Sequence, residues 1–156
     1  MKQIRETLPT AVRTAVAASL QECVVDFADL AMQAKQAHWA LVGPDFKEMH
    51  EAMDALNALC LGMLDEVAER ALALGILPLG QVKDVAKSAT LPPLPEGFLI
   101  DTDVVSLMAD RVAELVRRLR VHQGEVGDLD VVTEDILIEK IQALEKLLWM
   151  LQAREG

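Results

Sequence analysis

The sequence predicts an all-α fold: four long helices in one bundle, with a short helix in the connection between the second and third. Three observations carry that expectation. Of 156 residues 52% are hydrophobic but only 3% aromatic, with no Tyr, so Ala, Leu, Val, Ile and Met must fill the interior. That mix favours helices over sheets. The six prolines, Pro9, Pro44, Pro78, Pro92, Pro93 and Pro95, leave long intervals in which nothing interrupts a helix. One connection only is long. A chain of this size can bury about two thirds of its unfolded surface, so residues 1–156 are expected to form a single domain.

The first helix is expected from about Pro9, a tolerated first-turn proline, to about Leu41, stopped by Gly43 and Pro44. The second opens with a capping box, Asp45 with Glu48 three residues on, and continues to about Leu74, where Gly75 offers a C-terminal cap. The third starts near Asp101 and Thr102 and ends at Gly124. The last begins around Asp130, carries Glu134 and Asp135 in an acidic first turn that suits the helix dipole, and runs to about Arg154. Between the second and third, roughly residues 75 to 100, the polar stretch Gln81 to Ser88 has room for two helical turns. Short first and third loops with one long middle crossover match the ferritin-like version of the four-helix bundle better than the up-down-up-down form.

Fifteen Lys+Arg against 25 Asp+Glu leave a net charge of -10, which repels phosphate backbones and anionic membranes and suits cations. Cys23 and Cys60 are too few for a disulfide framework and lie in apolar runs where a thiol packs, so a reducing cytoplasm is the expected home. The N-terminus has no apolar stretch after its basic residues, and no secretory signal is expected. The longest apolar run, Ala58 to Leu64, falls far short of the ~20 residues that span a bilayer.

The chemistry concentrates on the second helix. At 100° per residue His50, Asp54, Asp65 and Glu69 fall at about 0°, 40°, 60° and 100°, one stripe. Asp54 and Asp65 nevertheless stand roughly 16 Å apart along the axis, too far to hold one metal centre within a chain. The stripe is a palindrome in position about a point between Leu59 and Cys60. An antiparallel partner crossing there would bring Asp65 and Glu69 of one subunit toward His50 and Asp54 of the other. Gly62, inside this helix at a cost of about 1 kcal/mol relative to Ala, suits the close approach of another helix. Each pair taken alone also fits an ordinary solvated face. No His has Glu three residues before it, which argues against a di-iron site inside one bundle. His122, at the expected end of the third helix, reads as a cation favoured by the dipole.

The run Ala34-Lys35-Gln36-Ala37-His38-Trp39, then Gly43-Pro44-Asp45-Phe46, Met49-His50-Glu51 with Asp54, and Leu64-Asp65-Glu66 with Ala68-Glu69-Arg70-Ala71 resembles the Dps family, the ferritin-like mini-ferritins of starved bacterial cells. His-x11-His-x3-Asp-x10-Asp-x3-Glu reproduces the ligand spacing of that family's ferroxidase site, and Trp39 stands where the family keeps a tryptophan. The last helix, from Thr133 to Leu151, is also similar. The resemblance implies a hollow dodecamer that oxidises Fe(II), preferably with hydrogen peroxide rather than dioxygen, and stores ferric mineral inside. It implies that His38, His50 and Asp54 come from one subunit and Asp65 and Glu69 from its neighbour, the division reached from the palindrome. Imidazole with carboxylate suits Fe(II), and hard carboxylates tolerate Fe(III). Trp39 is expected either to quench stray oxidising equivalents or simply to pack.

The resemblance also places a three-fold pore at the acidic cluster Asp128, Asp130, Glu134, Asp135 and Glu139, which equally suits a solvated N-terminal turn. Against DNA binding, Lys2 and Arg5 are offset by Glu6, the chain ends at Arg154-Glu155-Gly156, and the basic stretch Arg111, Arg117, Arg118 and Arg120 reads as a solvated face with a Glu114 to Arg118 ion pair. Two rival readings remain: a nucleoid-associated DNA-binding protein with secondary iron chemistry, and a non-catalytic helical scaffold.

Overall fold

The structure, a computed structural model, describes residues 5–155; the expectations placed on Lys2, on the extreme N-terminus and on Gly156 lie outside the described residues. Four long helices make the bundle: α1 (Thr10–Ala40), α2 (Phe46–Ala73), α4 (Asp101–Gly127) and α5 (Val131–Gln152). The short α3 (Val82–Ser88) interrupts the long crossover, as its polar pattern predicts. Helices α1 and α2 pack as one pair, α4 and α5 as the other, and α1 lies against α4. A two-residue parallel pairing of β1 (Leu41–Val42) with β2 (Leu99–Ile100) ties the α1–α2 connection to the start of α4. Pairs this short leave no pattern in a sequence. Among the described residues no helix is long and apolar enough to cross a membrane.

The buried side chains explain how much surface each helix leaves open. In α1, 17 of 31 residues are buried, because it touches both α2 and α4. In α2 only seven of 28 are: Met49, Met53, Leu56, Cys60, Met63, Val67 and Ala71. These recur every three or four residues, a single seam on one side of the helix. The stripe of His50, Asp54, Asp65 and Glu69 lies off this seam, with His50 half-buried and the other three exposed. Burial pushes the Cys60 thiol up to about 12, and Cys23 is raised further by burial and by Asp26 and Glu22, so both thiols pack and neither is reactive at neutral pH.

Four expectations are corrected. Helix α4 does not stop at Gly124 but continues to Gly127, because Val126, 1% exposed, adds one more turn to the stripe of Leu115 and Leu119. His122 is therefore not at a helix end: it is buried, with Nδ1 3.2 Å from Glu125 Oε2 and Nε2 3.5 Å from Glu22 Oε2. Asp45 makes no side-chain cap at the start of α2. Its backbone N–H donates instead to Asp101 Oδ2 at 2.7 Å, and Glu48 pairs with Arg154 at 2.5 Å. Arg111 is not on a solvated face; it is buried against Gln33 and the crossover. At the end of α2 the glycine cap does form: Gly75 sits at φ 80°, with its N–H on Leu72 O and that of Ile76 on Ala71 O.

Candidate metal site

His38 occupies the last turn of α1 and His50 the second turn of α2, on either side of the short connection between them. Asp101 fixes that connection. Its carboxylate accepts from the Asp45 and Thr102 N–H groups and fills the space beside Gly43, where a Cβ would meet Asp101 Oδ2 at 2.3 Å. Gly43 also lies at φ 138°, so both space and backbone require glycine.

The two imidazoles stack with centroids 3.5 Å apart and 22° between planes, and Phe46 lies 4.9 Å from the His50 ring. Each histidine clasps the other's backbone: His38 Nδ1 is 2.8 Å from His50 O, and His50 Nδ1 is 3.0 Å from His38 O. A carbonyl oxygen only accepts, so both Nδ1 atoms carry protons and donate. Each neutral ring then keeps its lone pair on Nε2, the form in which imidazole binds a metal.

Asp54, one turn beyond His50, places Oδ1 3.6 Å from His38 Nδ1 and accepts a hydrogen bond on the same oxygen from the Lys35 ammonium. That bond holds the Asp54 carboxyl below the usual carboxylate range. Asp65 and Glu69 are exposed further along the same helix. Among the described residues no three His, Cys, Asp or Glu side chains come together to hold an ion. One chain places His38 against His50 and Asp54 beside His38, short of a three-ligand cluster, and leaves Asp65 and Glu69 apart. Trp39 is 59% exposed, so packing within the chain does not account for it.

The acidic cluster divides. Asp128, Asp135 and Glu139 are exposed, Glu139 beside Lys140. Glu134 is half-buried and accepts from Gln123 at 2.8 Å. Asp130 is buried and caps α5, accepting from the Val132 N–H, the Thr133 hydroxyl and Arg70. Burial alone would push its carboxyl up; the Thr133 and Arg70 bonds overcome that and hold it low. Sequence reasoning assigned no role to Lys35 or Asp101. Lys35 had a signal, standing one turn before His38 on the same face; Asp101 had none, because its partner lies 56 residues away.

A family model described as a ferritin-like domain matches residues 17–154. The DNA protection during starvation protein of Agrobacterium fabrum is 32% identical over 152 residues, covering 96% of this chain and 93% of that protein. The chain belongs to the Dps family of ferritin-like proteins. Another relative of this Dps-family chain, the fine tangled pili major subunit of Haemophilus ducreyi, is 32% identical over 88% of the chain and 73% of its own length. Among solved structures, Mycobacterium smegmatis Dps in its tetragonal form superposes with a TM-score of 0.92 at 28% identity, covering 99% of the Dps-family chain and 93% of that chain.

Proposed function

We propose that this protein is an iron-oxidising and iron-storing mini-ferritin, a dodecameric shell of single-domain subunits that takes Fe(II) as substrate, oxidises it with hydrogen peroxide in preference to dioxygen, and keeps the ferric product inside. The observation that carries the reading is the pair of clasped histidines, each with Nε2 free, beside an exposed carboxylate. Three ligands from one chain form half a site. Asp65 and Glu69, at the mirror positions on the open face of α2, supply the other half from a two-fold partner. The middle of that face is occupied by Ala58, Leu61 and Gly62, small or apolar groups suited to a helix crossing, and Leu61 is 48% exposed. Pairing two iron ions lets peroxide accept two electrons together, so no hydroxyl radical is released. Trp39 is placed next in sequence to a ligand to intercept any stray oxidant.

The exposed carboxylates Asp128, Asp135 and Glu139 would draw cations toward a three-fold opening; Asp130 is engaged in its cap. The Agrobacterium fabrum relative is named for DNA protection, and for this chain that protection is chemical, by removing iron and peroxide. Direct DNA binding has no free cations to use on α4. Arg117 pairs with Glu114, Arg118 with Asp26 and Glu114, Arg120 with Glu145, and Arg111 is buried. A bacterial cytoplasm suits the unpaired thiols.

Mixed shells test the division of the site. Subunits carrying His38→Ala, His50→Ala and Asp54→Ala are co-assembled with subunits carrying Asp65→Ala and Glu69→Ala. Peroxide-dependent Fe(II) oxidation should be lost in each pure shell and partly restored in the mixture. No recovery despite proven co-assembly would remove the shared site.

A further inference from the structure

We infer that His122 and Glu22 form a second binding site, for a divalent cation of the Zn(II) type, which bridges α4 and α1. It is separate from the histidine pair, since Glu22 and His38 lie 16 residues apart on α1, roughly 24 Å along its axis. The His122 side chain is only 9% exposed, and each of its ring nitrogens faces a carboxylate. Nδ1 is 3.2 Å from Glu125 Oε2, which also accepts from the Ser19 hydroxyl at 3.0 Å. The His122 bond, with that from Ser19, holds the Glu125 carboxyl below its usual range, so this carboxylate only accepts and Nδ1 carries the proton. The neutral ring then turns the Nε2 lone pair toward Glu22 Oε2, 3.5 Å away, and among the described residues Nε2 makes no hydrogen bond.

Two acceptors that face each other need positive charge between them. A separation of 3.5 Å is long for a shared proton, whose heavy atoms stand about 2.9 Å apart. It suits an ion: an imidazole nitrogen and a carboxylate oxygen at about 2.0–2.2 Å from Zn(II) in a tetrahedral shell lie about 3.4 Å from each other. Charge and space agree with this. Arg118 occupies Asp26 at 2.6 Å, which leaves Glu22 and Glu125 as two uncancelled negative charges toward a dication. A cavity of about 610 Å³ opens beside Glu22 and His122, with room for water to complete the shell. Glu125 stands behind the imidazole, where a carboxylate fixes the tautomer and raises the basicity of the ligating nitrogen. Two protein donors leave the ion exchangeable, and its hold on both ties α1 to α4, the contact on which the two helix pairs meet.

The test uses Zn(II) alone, in equilibrium dialysis against a full chain whose α2 stripe is silenced by Asp54→Asn, Asp65→Asn and Glu69→Gln, so that the result does not depend on the proposed iron site. One Zn(II) per chain should still bind. Adding Glu22→Gln should weaken that binding at least ten-fold, and Glu125→Ala, which frees the ring to turn, about ten-fold. Zn(II) should also raise the midpoint of thermal unfolding of the silenced chain and raise it less after Glu22→Gln, because a ligand of the folded state stabilises it by mass action. His122→Gln should abolish the site; should that buried change prevent folding by circular dichroism, Glu22→Gln carries the comparison, its side chain being 72% exposed. No Zn(II) bound by the silenced chain, or equal binding after Glu22→Gln, overturns the inference, and His122 is then an imidazolium shared by two carboxylates.

Discussion

Arg111 is 4% exposed, and its guanidinium donates to Gln33 Oε1 at 2.6 Å and to the carbonyl oxygens of Leu107, Pro92 and Pro93 at 2.7, 2.8 and 2.7 Å. This side chain anchors the proline-rich end of the crossover to the bundle, beside Gln21 on Leu79 and Arg118 on Thr90. Arg111→Met should lower the unfolding free energy by about 2–3 kcal/mol, since carbonyls lose their donor in a buried place. Urea denaturation measures it, and a loss below about 1 kcal/mol would mean that water replaces the guanidinium. Asp130 supplies the acid-sensitive counterpart. Its folded carboxyl is held low, so the stability it contributes is present above the unfolded value of about 3.9 and is lost as pH falls through the folded value. Asp130→Asn should therefore be less stable than the native chain at pH 7, and the gap should shrink below about pH 4. A gap independent of pH would mean that the carboxylate's charge is immaterial to the cap.

At the scale of elements, α2 has two unlike faces. One seam, from Met49 to Ala71, packs within the bundle; the other face carries His50, Asp54, Asp65 and Glu69 around Leu61 and Gly62. Among the described residues, nothing beyond its own helix backbone lies within 4 Å of where a Cβ on Gly62 would stand. The fold of one subunit therefore gives no reason for glycine there, and helix propensity argues against it by about 1 kcal/mol. Gly62→Leu should leave the subunit folded by circular dichroism, with unchanged or raised thermal stability of the chain, and should block assembly. Light scattering decides: a particle still the size of the native one would mean that no helix crosses at Gly62.

The whole molecule is governed by charge and number. In the proposed dodecamer, twelve chains of 17.1 kDa would give a particle of about 205 kDa, and at -10 each they would carry about -120 before any iron is bound. DNA affinity grows with the phosphates that Lys and Arg neutralise, and here the long-range interaction is repulsive. No appreciable complex is expected in a gel-shift titration at about 0.15 M salt and neutral pH with a chelator present, since divalent ions would otherwise bridge two anionic surfaces. Tight, salt-sensitive complexes under those conditions would instead favour the nucleoid-binding reading.

The number, type and approximate ends of the helices were legible in the sequence, because prolines, caps and a scarcity of aromatics act locally. The alignment of His50, Asp54, Asp65 and Glu69 on one face was legible for the same reason, helix geometry being fixed at 1.5 Å and 100° per residue. Errors arose where a distant group outcompeted a local signal. Asp45 reads as a cap until Asp101 takes its N–H; Gly124 reads as a stop until burial of Val126 outweighs its helix cost. Only the tertiary structure decided that the two imidazoles clasp each other's backbone through Nδ1, that Lys35 lies on Asp54, and that the face of α2 with Asp54, Asp65 and Glu69 is left uncovered. Those are relations between residues on different helices, and a linear sequence encodes them only through the packing of the whole chain.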